Sequence, residues 1–283
     1  MLNVDQKKLF TIGEAAKLCG VSRKTLRFYE KLGLLIPDEI NEENGYRYYN
    51  EDSLQLIPVI KYYKQMGFKL QEMEGIEGDE EYYYYENSFR SKLDELECEK
   101  QEIEKKYTSV SDWLDLIKEA DRALAGNLDN VNVKYIEATT YYSLEQNYNY
   151  DCKKTVINIP WVRHLEANNA EITGPVVLYF SDSKKRLQGK SCKVTIMQKP
   201  VGNDDNDIVK FSFGDQLFLS TYHLGNPEKI QESYAKIKFW AEKHHFICKK
   251  DAFERYVVDY WTTKDETKIV TEVLIPIEKR MCN

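Results

Sequence analysis

No stretch of this sequence approaches the ~20 consecutive apolar residues that span a bilayer. The amino terminus, MLNVDQKKLFTIGE, has neither an apolar segment nor a small-residue cleavage site. A secreted or membrane-spanning chain is therefore not expected and a cytosolic one is, with no membrane partner. The six cysteines (Cys19, Cys98, Cys152, Cys192, Cys248, Cys282) include no CxxC or other close pair. That spacing argues against a structural zinc site and, in a reducing compartment, against disulfides. No metal or other cofactor is expected. There is no nucleophile elbow, and His244 and His245 are adjacent rather than one helical turn apart, so no HExxH exists either. An enzyme is disfavoured on those grounds. An overall basic charge is missing too: the net charge is −7, so any nucleic-acid surface must be local.

What is present is an ordinary globular composition, 42% hydrophobic and 31% charged, over 283 residues, enough for more than one domain. The first domain is expected over 1–78. Within TIGE, Thr11 is a helix N-cap and Glu14 completes a capping box. Gly20 ends that helix, Ser22 caps a second one, SRKTLRFYEKL, and Gly33 stops it. Two short helices about a tight turn predict a helix-turn-helix. INEENGYRYYN then carries Asn44-Gly45, a strong hairpin signal, and a hairpin in this place is a wing. Asp52 is expected to cap a third helix, whose interior Pro58 fits poorly. KLQEMEGI reads as a short helix.

Residues 79–124 predict one long helix. Phe89, Leu93, Leu96, Lys100, Ile103, Tyr107, Val110, Leu114 and Ile117 recur four and three apart, a heptad seam with one polar interruption. About forty residues make a rod of about 60 Å. Such a seam favours a coiled coil with a second copy, hence a homodimer; packing on its own chain is the alternative. The run YYYYE at 82–86 cannot face one partner throughout and is a candidate contact with another element.

After the linker AGNLDN (125–130), a domain over 131–283 alternates strands and helices. VKYIEATTYY (133–142) reads as a strand, IPWVRHLEAN as a helix, PVVLYF and CKVTIM as strands. The order recurs with QLFLSTYHL (216–224), a helix from Pro227 to about His245 buried through Ile230, Tyr234, Ile237 and Ala241, then FERYVVDYW and TKIVTEVLIPI. Strand-helix-strand-strand twice predicts an α+β domain built by duplication. The whole chain is thus expected to be α+β: winged helix-turn-helix, dimerisation helix, duplicated α+β domain.

The basic surface appears at 7–31, which carries a net +5. Arg23, Lys24 and Arg27 project from the first turns of the second helix, the part that enters the major groove in helix-turn-helix proteins. Ser22 adds backbone N–H groups suited to a phosphate.

The contiguous run TIGEAAKLCGVSRKTLRFYEKLGLL…NGYRYYNEDSLQLIPVIKYYKQMGF resembles the winged-helix DNA-binding domain of the MerR family of transcription regulators. The resemblance implies a dimer on a pseudo-palindromic operator in duplex promoter DNA, distorting an overlong promoter spacer so that RNA polymerase engages it. Matching positions imply DNA contacts at Thr11, Ser22, Arg23, Lys24, Thr25, Arg27, Tyr29, Tyr46, Arg47 and Tyr48; Phe28 departs from the polar ring common at its position. The family's metal and redox sensors ligate through clustered cysteines. Here the long helix has only Cys98 and the last residues only Cys282. LSTYHLGNPEKIQESYAKIKFWAEKHHF…FERYVVDYW…TEVLIPI resembles a GyrI-like effector-binding domain, as in the multidrug-sensing activators of that family, where a buried strand glutamate meets lipophilic cations among aromatic rings. The matching residue is Glu254.

Elementary physics singles out the same residue. Along DAFERYVVDYW, Ala252, Glu254, Tyr256, Val258 and Tyr260 share one strand face, apolar apart from one acid. A carboxylate there is costly unless paired or protonated. The empty site is expected to satisfy it with tyrosine hydroxyls or to raise its pKa, and a flat cation supplies the missing charge. The alternatives are an internal lysine or arginine partner, or exposure at a sheet edge. Tyr256, Tyr260, Tyr222, Tyr142, Tyr179 and Trp161 are the candidate ligand-binding rings. The functional expectation is a ligand-responsive activator controlling an efflux or detoxification gene; the alternatives are a C-terminal domain that binds a neutral ligand or a protein partner.

Overall fold

The computed structural model describes residues 8–73, 82–126, 130–149, 151–156, 158–189, 191–202 and 207–279, with backbone alone at 82–85. It divides into two compact units, Met1–Lys100 and Gln101–Asn283, so the division falls inside the long helix rather than on either side of it.

In the first unit, β1 (Phe10–Thr11) leads into α1 (Ile12–Cys19). The capping box is formed: Thr11 Oγ1 accepts the Glu14 N–H at 3.4 Å while Glu14 accepts the Thr11 N–H at 2.8 Å. Gly20 turns the chain in a left-handed conformation, φ 61°, which glycine adopts at no steric cost. Ser22 then caps α2 (Arg23–Lys31) by accepting the Thr25 N–H at 2.9 Å. β2 (Glu39–Ile40) and β3 (Arg47–Tyr49) form the wing, with β3 between β1 and β2. The connection is wider than a two-residue turn. It runs from Asn41 to Tyr46, and Asn41 Oδ1 accepts two backbone N–H groups from Glu43 and Asn44. The cap of α3 (Glu51–Gln65) is Asn50, not Asp52, which lies in the first turn. The helix runs on through Pro58; the cost is the hydrogen bond that Leu54 C=O would otherwise receive. A 3-10 turn follows at Leu70–Met73; residues 74–76 of KLQEMEGI lie outside the described residues. The core joins Ala15, Leu26, Tyr29, Leu35, Tyr49, Ile57 and Ile60, with Phe89 packed against it.

Phe89 belongs to α4 (Tyr82–Leu124), 43 residues and about 65 Å long. The other apolar seam residues stay open: Leu93, Leu96, Ile103, Tyr107, Val110, Leu114 and Ile117 are 41–75% exposed. A different stripe, Leu116, Ala120 and Ala123, is buried in the second unit.

The described residues of the second unit form nine antiparallel strands. They are β4 (Asn132–Ile136), β5 (Thr139–Tyr148), β6 (Ile172–Phe180), β7 (Cys192–Pro200), β8 (Lys210–Phe213), β9 (Gln216–Leu224), β10 (Phe246–Cys248), β11 (Ala252–Val258) and β12 (Val270–Lys279). The helices are α5 (Cys152–Val156), α6 (Ile159–Ala167), α7 (Ser183–Leu187) and α8 (Gln231–Lys243). The sheet order is β4-β9-β12-β11-β6-β7-β5-β8, with β10 on β12. The duplication is visible in that order. The units β5-α6-β6-β7 and β9-α8-β11-β12 enter it as mirror images, meeting where β11 pairs with β6. Two expectations change. The stretch 133–142 is two strands at distant places in the sheet, β4 beside β9 and β5 beside β7. The strand expected to reach Trp261 stops at Val258, because Asp259 Oδ1 accepts the N–H groups of Trp261 and Thr262 and turns the chain.

Helices cover one face of the sheet: α5 and α6 pack with Tyr256, and α8 with Ala252 and Val273. Against the other face lie α4, through Val257 and Tyr222, and the rings of Phe211, Phe213, Phe218 and Phe253. No helix among the described residues is long and apolar enough to cross a membrane.

Candidate functional site

On the first unit, caps and basic side chains share the start of α2. Arg23, Lys24 and Arg27 are exposed there, with Ser22 and the half-buried Thr25 hydrogen-bonded to each other at 2.8 Å. Thr11 is exposed at the head of α1, Tyr46 at the wing, and Tyr48 is half-buried on β3. Two candidates are placed differently. Tyr29 is only 2% exposed and belongs to the core, where burial also raises its pKa. Its position follows from the helical period, which turns it inward beside Leu26. Arg47 is 35% exposed and its Nε–H donates to both oxygens of Glu30, at 2.8 and 2.7 Å. That pair holds the guanidinium at the wing, available to a phosphate. Arg47→Ala is expected to weaken binding to every DNA sequence alike and to flatten the log–log salt dependence by about one unit. Titration of a selected and a random duplex over a salt series measures this; a loss confined to the selected duplex contradicts it.

In the second unit, Glu254 lies mid-strand on β11, opposite Val273 of β12 and Leu178 of β6, and is fully buried. Two tyrosine hydroxyls donate to it, Tyr256 at 2.9 Å and Tyr234 of α8 at 3.0 Å. So does a guanidinium. Arg186 of α7 gives its Nε–H to one carboxylate oxygen at 2.8 Å and an Nη2–H to the other at 3.4 Å. Arg186 is 6% exposed and lies 5.0 Å over the Tyr148 ring and 5.5 Å over Phe180. The expected tyrosine donors are present, and so is the internal arginine partner that stood as the alternative: the site contains its own cation. Burial alone would loosen the proton on Arg186, but Glu254 outweighs it and raises the pKa. Burial, then Glu254, pushes the Tyr234 and Tyr256 hydroxyls well up, so both stay neutral donors. Beside the pair is an opening of about 300 Å³ lined by Tyr148, Cys152, Arg186, Leu187, Gly189, Pro227, Glu228 and Gln231. Arg186 reaches it; Glu254 does not.

The candidate rings divide between the two faces. Tyr142, Trp161 and Tyr256 share one buried cluster, with Tyr260 packed against it. Trp161 Nε1–H donates to Gln198, and burial pushes the Tyr260 hydroxyl up to about 12. Tyr179 and Tyr222 are on the opposite face, Tyr179 in a tilted contact with the Phe253 ring and Tyr222 donating to Glu119 of α4. Neither shares a face with the acid. Sequence reasoning missed Arg186, Tyr148 and Phe180. SKKR reads as a solvated basic stretch, and nothing local turns its arginine inward. Tyr234 was legible as a buried helix position, but not as a donor to Glu254.

The two sites correspond to two family models: MerR family regulatory protein over residues 11–49 and GyrI-like small molecule binding domain over residues 129–278. The chain is a MerR-family regulator with a GyrI-like small molecule binding domain. Along its full length this regulator is 23% identical over 288 residues to the multidrug-efflux transporter 2 regulator of Bacillus subtilis (strain 168), covering 98% of the chain and 100% of that relative. To the multidrug-efflux transporter 1 regulator of the same organism it is 36% identical over 104 residues, 35% of the chain and 37% of the relative. The GyrI-like half has a slighter likeness to a hydrolase from Listeria innocua: TM-score 0.40, 10% identity, 57% of the chain and 98% of the other. That likeness carries no argument about chemistry. In this MerR-family regulator, then, a basic winged helix and a buried ion pair beside an opening belong to two separate units, one of each recognised family.

Proposed function

We propose that this regulator acts as a homodimer on a pseudo-palindromic promoter element. In this reading it activates transcription by distorting the DNA for RNA polymerase, and responds to lipophilic, delocalised cations. Its targets on this reading are multidrug-efflux genes, as the names of two relatives suggest, or detoxification genes. The observation that carries the ligand class is the seat of Arg186. A planar delocalised cation already rests there on Glu254, over the rings of Tyr148 and Phe180. An aromatic cation meets the same surroundings: two hydroxyls and a carboxylate for its charge, and ring faces for its body. To enter it displaces Arg186, which a five-residue helix holds at the edge of the opening. Such recognition uses little directional hydrogen bonding and tolerates many shapes. The ligand is bound and released unchanged.

One observation favours a second reading. Arg186 rather than Glu254 lines the opening, which suits a neutral or anionic ligand paired with the guanidinium. Size-matched probes separate the two: tetraphenylphosphonium, tetraphenylborate and triphenylphosphine oxide. The cation is expected to bind best, and Arg186→Met to tighten it by about tenfold, roughly 1.4 kcal/mol, by removing the internal competitor. Preferred binding of the borate, or loss of all binding in Arg186→Met, gives the site to the second reading.

A further inference from the structure

Residues 254 and 255 are neighbours on β11, and consecutive side chains of a strand leave by opposite faces. Glu254 points to the helix-covered side, where Arg186 and Tyr234 meet it. Arg255 points to α4. Its two terminal nitrogens donate to the two carboxylate oxygens of Glu119, at 2.6 and 2.7 Å, a fork-on-fork pair. The same guanidinium donates to Glu272 of β12 at 2.8 Å, Tyr222 donates to Glu119 at 2.6 Å, and Lys134 and Ser220 donate to Glu272. Leu116, Ala120 and Ala123 of α4 close over this cluster on Tyr222, Val257, Val258 and Val270. One turn past the strand, Trp261 rests on Trp113 of α4 with ring centroids 5.1 Å apart. Burial alone would raise the pKa of Glu119, but Arg255 and Tyr222 outweigh it and hold the carboxyl below its usual range.

We infer that Arg255 and Glu119 are positioning residues that report the state of the Glu254 site to α4. The inference rests on the reading of Glu254 as the effector site. When Arg186 leaves Glu254, β11 loses one of the two side chains that tie this carboxylate to other elements, the other being Tyr234. Any shift of residue 254 is a shift of residue 255, and the paired forks impose it on Glu119. The apolar contacts around the pair slide at little cost. The bidentate pair does not, because its geometry is directional and its charges are largely desolvated. Arg255 touches neither ligand nor DNA in this scheme; its part is to make two sites share one free energy.

The test uses the full-length chain and an operator duplex selected in vitro with it. Arg186→Met empties the counter-ion seat without any ligand and is expected to change operator affinity by at least about fivefold, the low end of allosteric coupling. In a Glu119→Gln background the same substitution is expected to change it less than twofold, although Glu119→Gln by itself leaves tetraphenylphosphonium affinity nearly unaltered. Arg255→Met repeats the test from the other partner, and Arg186→Gln, which also removes the charge, replaces Arg186→Met if that variant does not fold. An equal shift in both backgrounds, or none in either, overturns the inference. Because this arm needs no ligand, failure of tetraphenylphosphonium to bind sinks the proposed ligand class and leaves the coupling result standing.

Discussion

Glu254→Gln is expected to lower the stability of the Gln101–Asn283 unit by about 3–5 kcal/mol, the range for removing one partner of a buried ion pair. The loss comes less from the missing bond than from what is left behind. Arg186 is 6% exposed, its guanidinium is packed over Tyr148 and Phe180, and without Glu254 its charge has lost the carboxylate facing it. The double variant Glu254→Gln/Arg186→Met is expected to recover most of the deficit. The amide oxygen introduced by Glu254→Gln still accepts from Tyr234 and Tyr256, and the methionine packs on the two rings without a charge to solvate. All four tryptophans, Trp113, Trp161, Trp240 and Trp261, belong to this unit, so urea unfolding followed by tryptophan fluorescence reads it alone. A single variant as stable as the parent, or a double variant no better than the single, would mean that the pair does not hold the site together. Affinity changes for cations in Glu254→Gln must be corrected for this unfolding, because a ligand that binds only the folded form also restores it.

The second large effect is expected on α4. With Ile103→Asp and Val110→Asp together, the homodimer is expected to dissociate at micromolar concentration and operator affinity to fall at least about a hundredfold. Seven apolar seam residues lie exposed along the helix, each worth about 1.5–3 kcal/mol when fully buried. A second copy of the seam offers such burial. Two carboxylates placed in register would face each other, or apolar neighbours, across it. The fold of the single chain has little stake in these positions, since its own packing uses Leu116, Ala120 and Ala123 on another side of the helix. Helix content by circular dichroism should therefore hold while sedimentation velocity shows a monomer. The operator effect follows because half-sites one helical turn apart are engaged together only by a dimer. A dimer that survives both substitutions would exclude the seam as the interface.

Much of the first unit could be read from the chain because its signals are local. Thr11, Glu14, Gly20 and Ser22 act within four residues of themselves, so capping and turn chemistry declare them. The errors there were also local: Asn50 and Asp52 are both good caps, and a two-residue offset decided between them. The long helix was legible from its period. In the second unit the elements and their duplication could be read, and so could the acid on an apolar strand face. Two of the proposed rings, Tyr179 and Tyr222, lie on the face opposite Glu254. Composition marks a tyrosine as able to line a site, while only strand parity and sheet order assign its side.

By itself, then, the sequence determined the caps at Thr11 and Ser22, the heptad seam, the strand carrying Glu254 and the family of each half. Tertiary structure alone decided what meets that acid. Arg186 is 68 positions away along the chain and Tyr234 is 20, and their convergence on one carboxylate depends on β11 pairing with β6 at the junction of the two repeats. Likewise Glu119 and Arg255 are 136 residues apart, and each looks like a surface charge on its own element. Ion pairs of this reach leave no periodic trace. Their energy is made only when remote elements pack, and a charged side chain in a helix or strand reads the same whether its partner is water or a buried counter-ion.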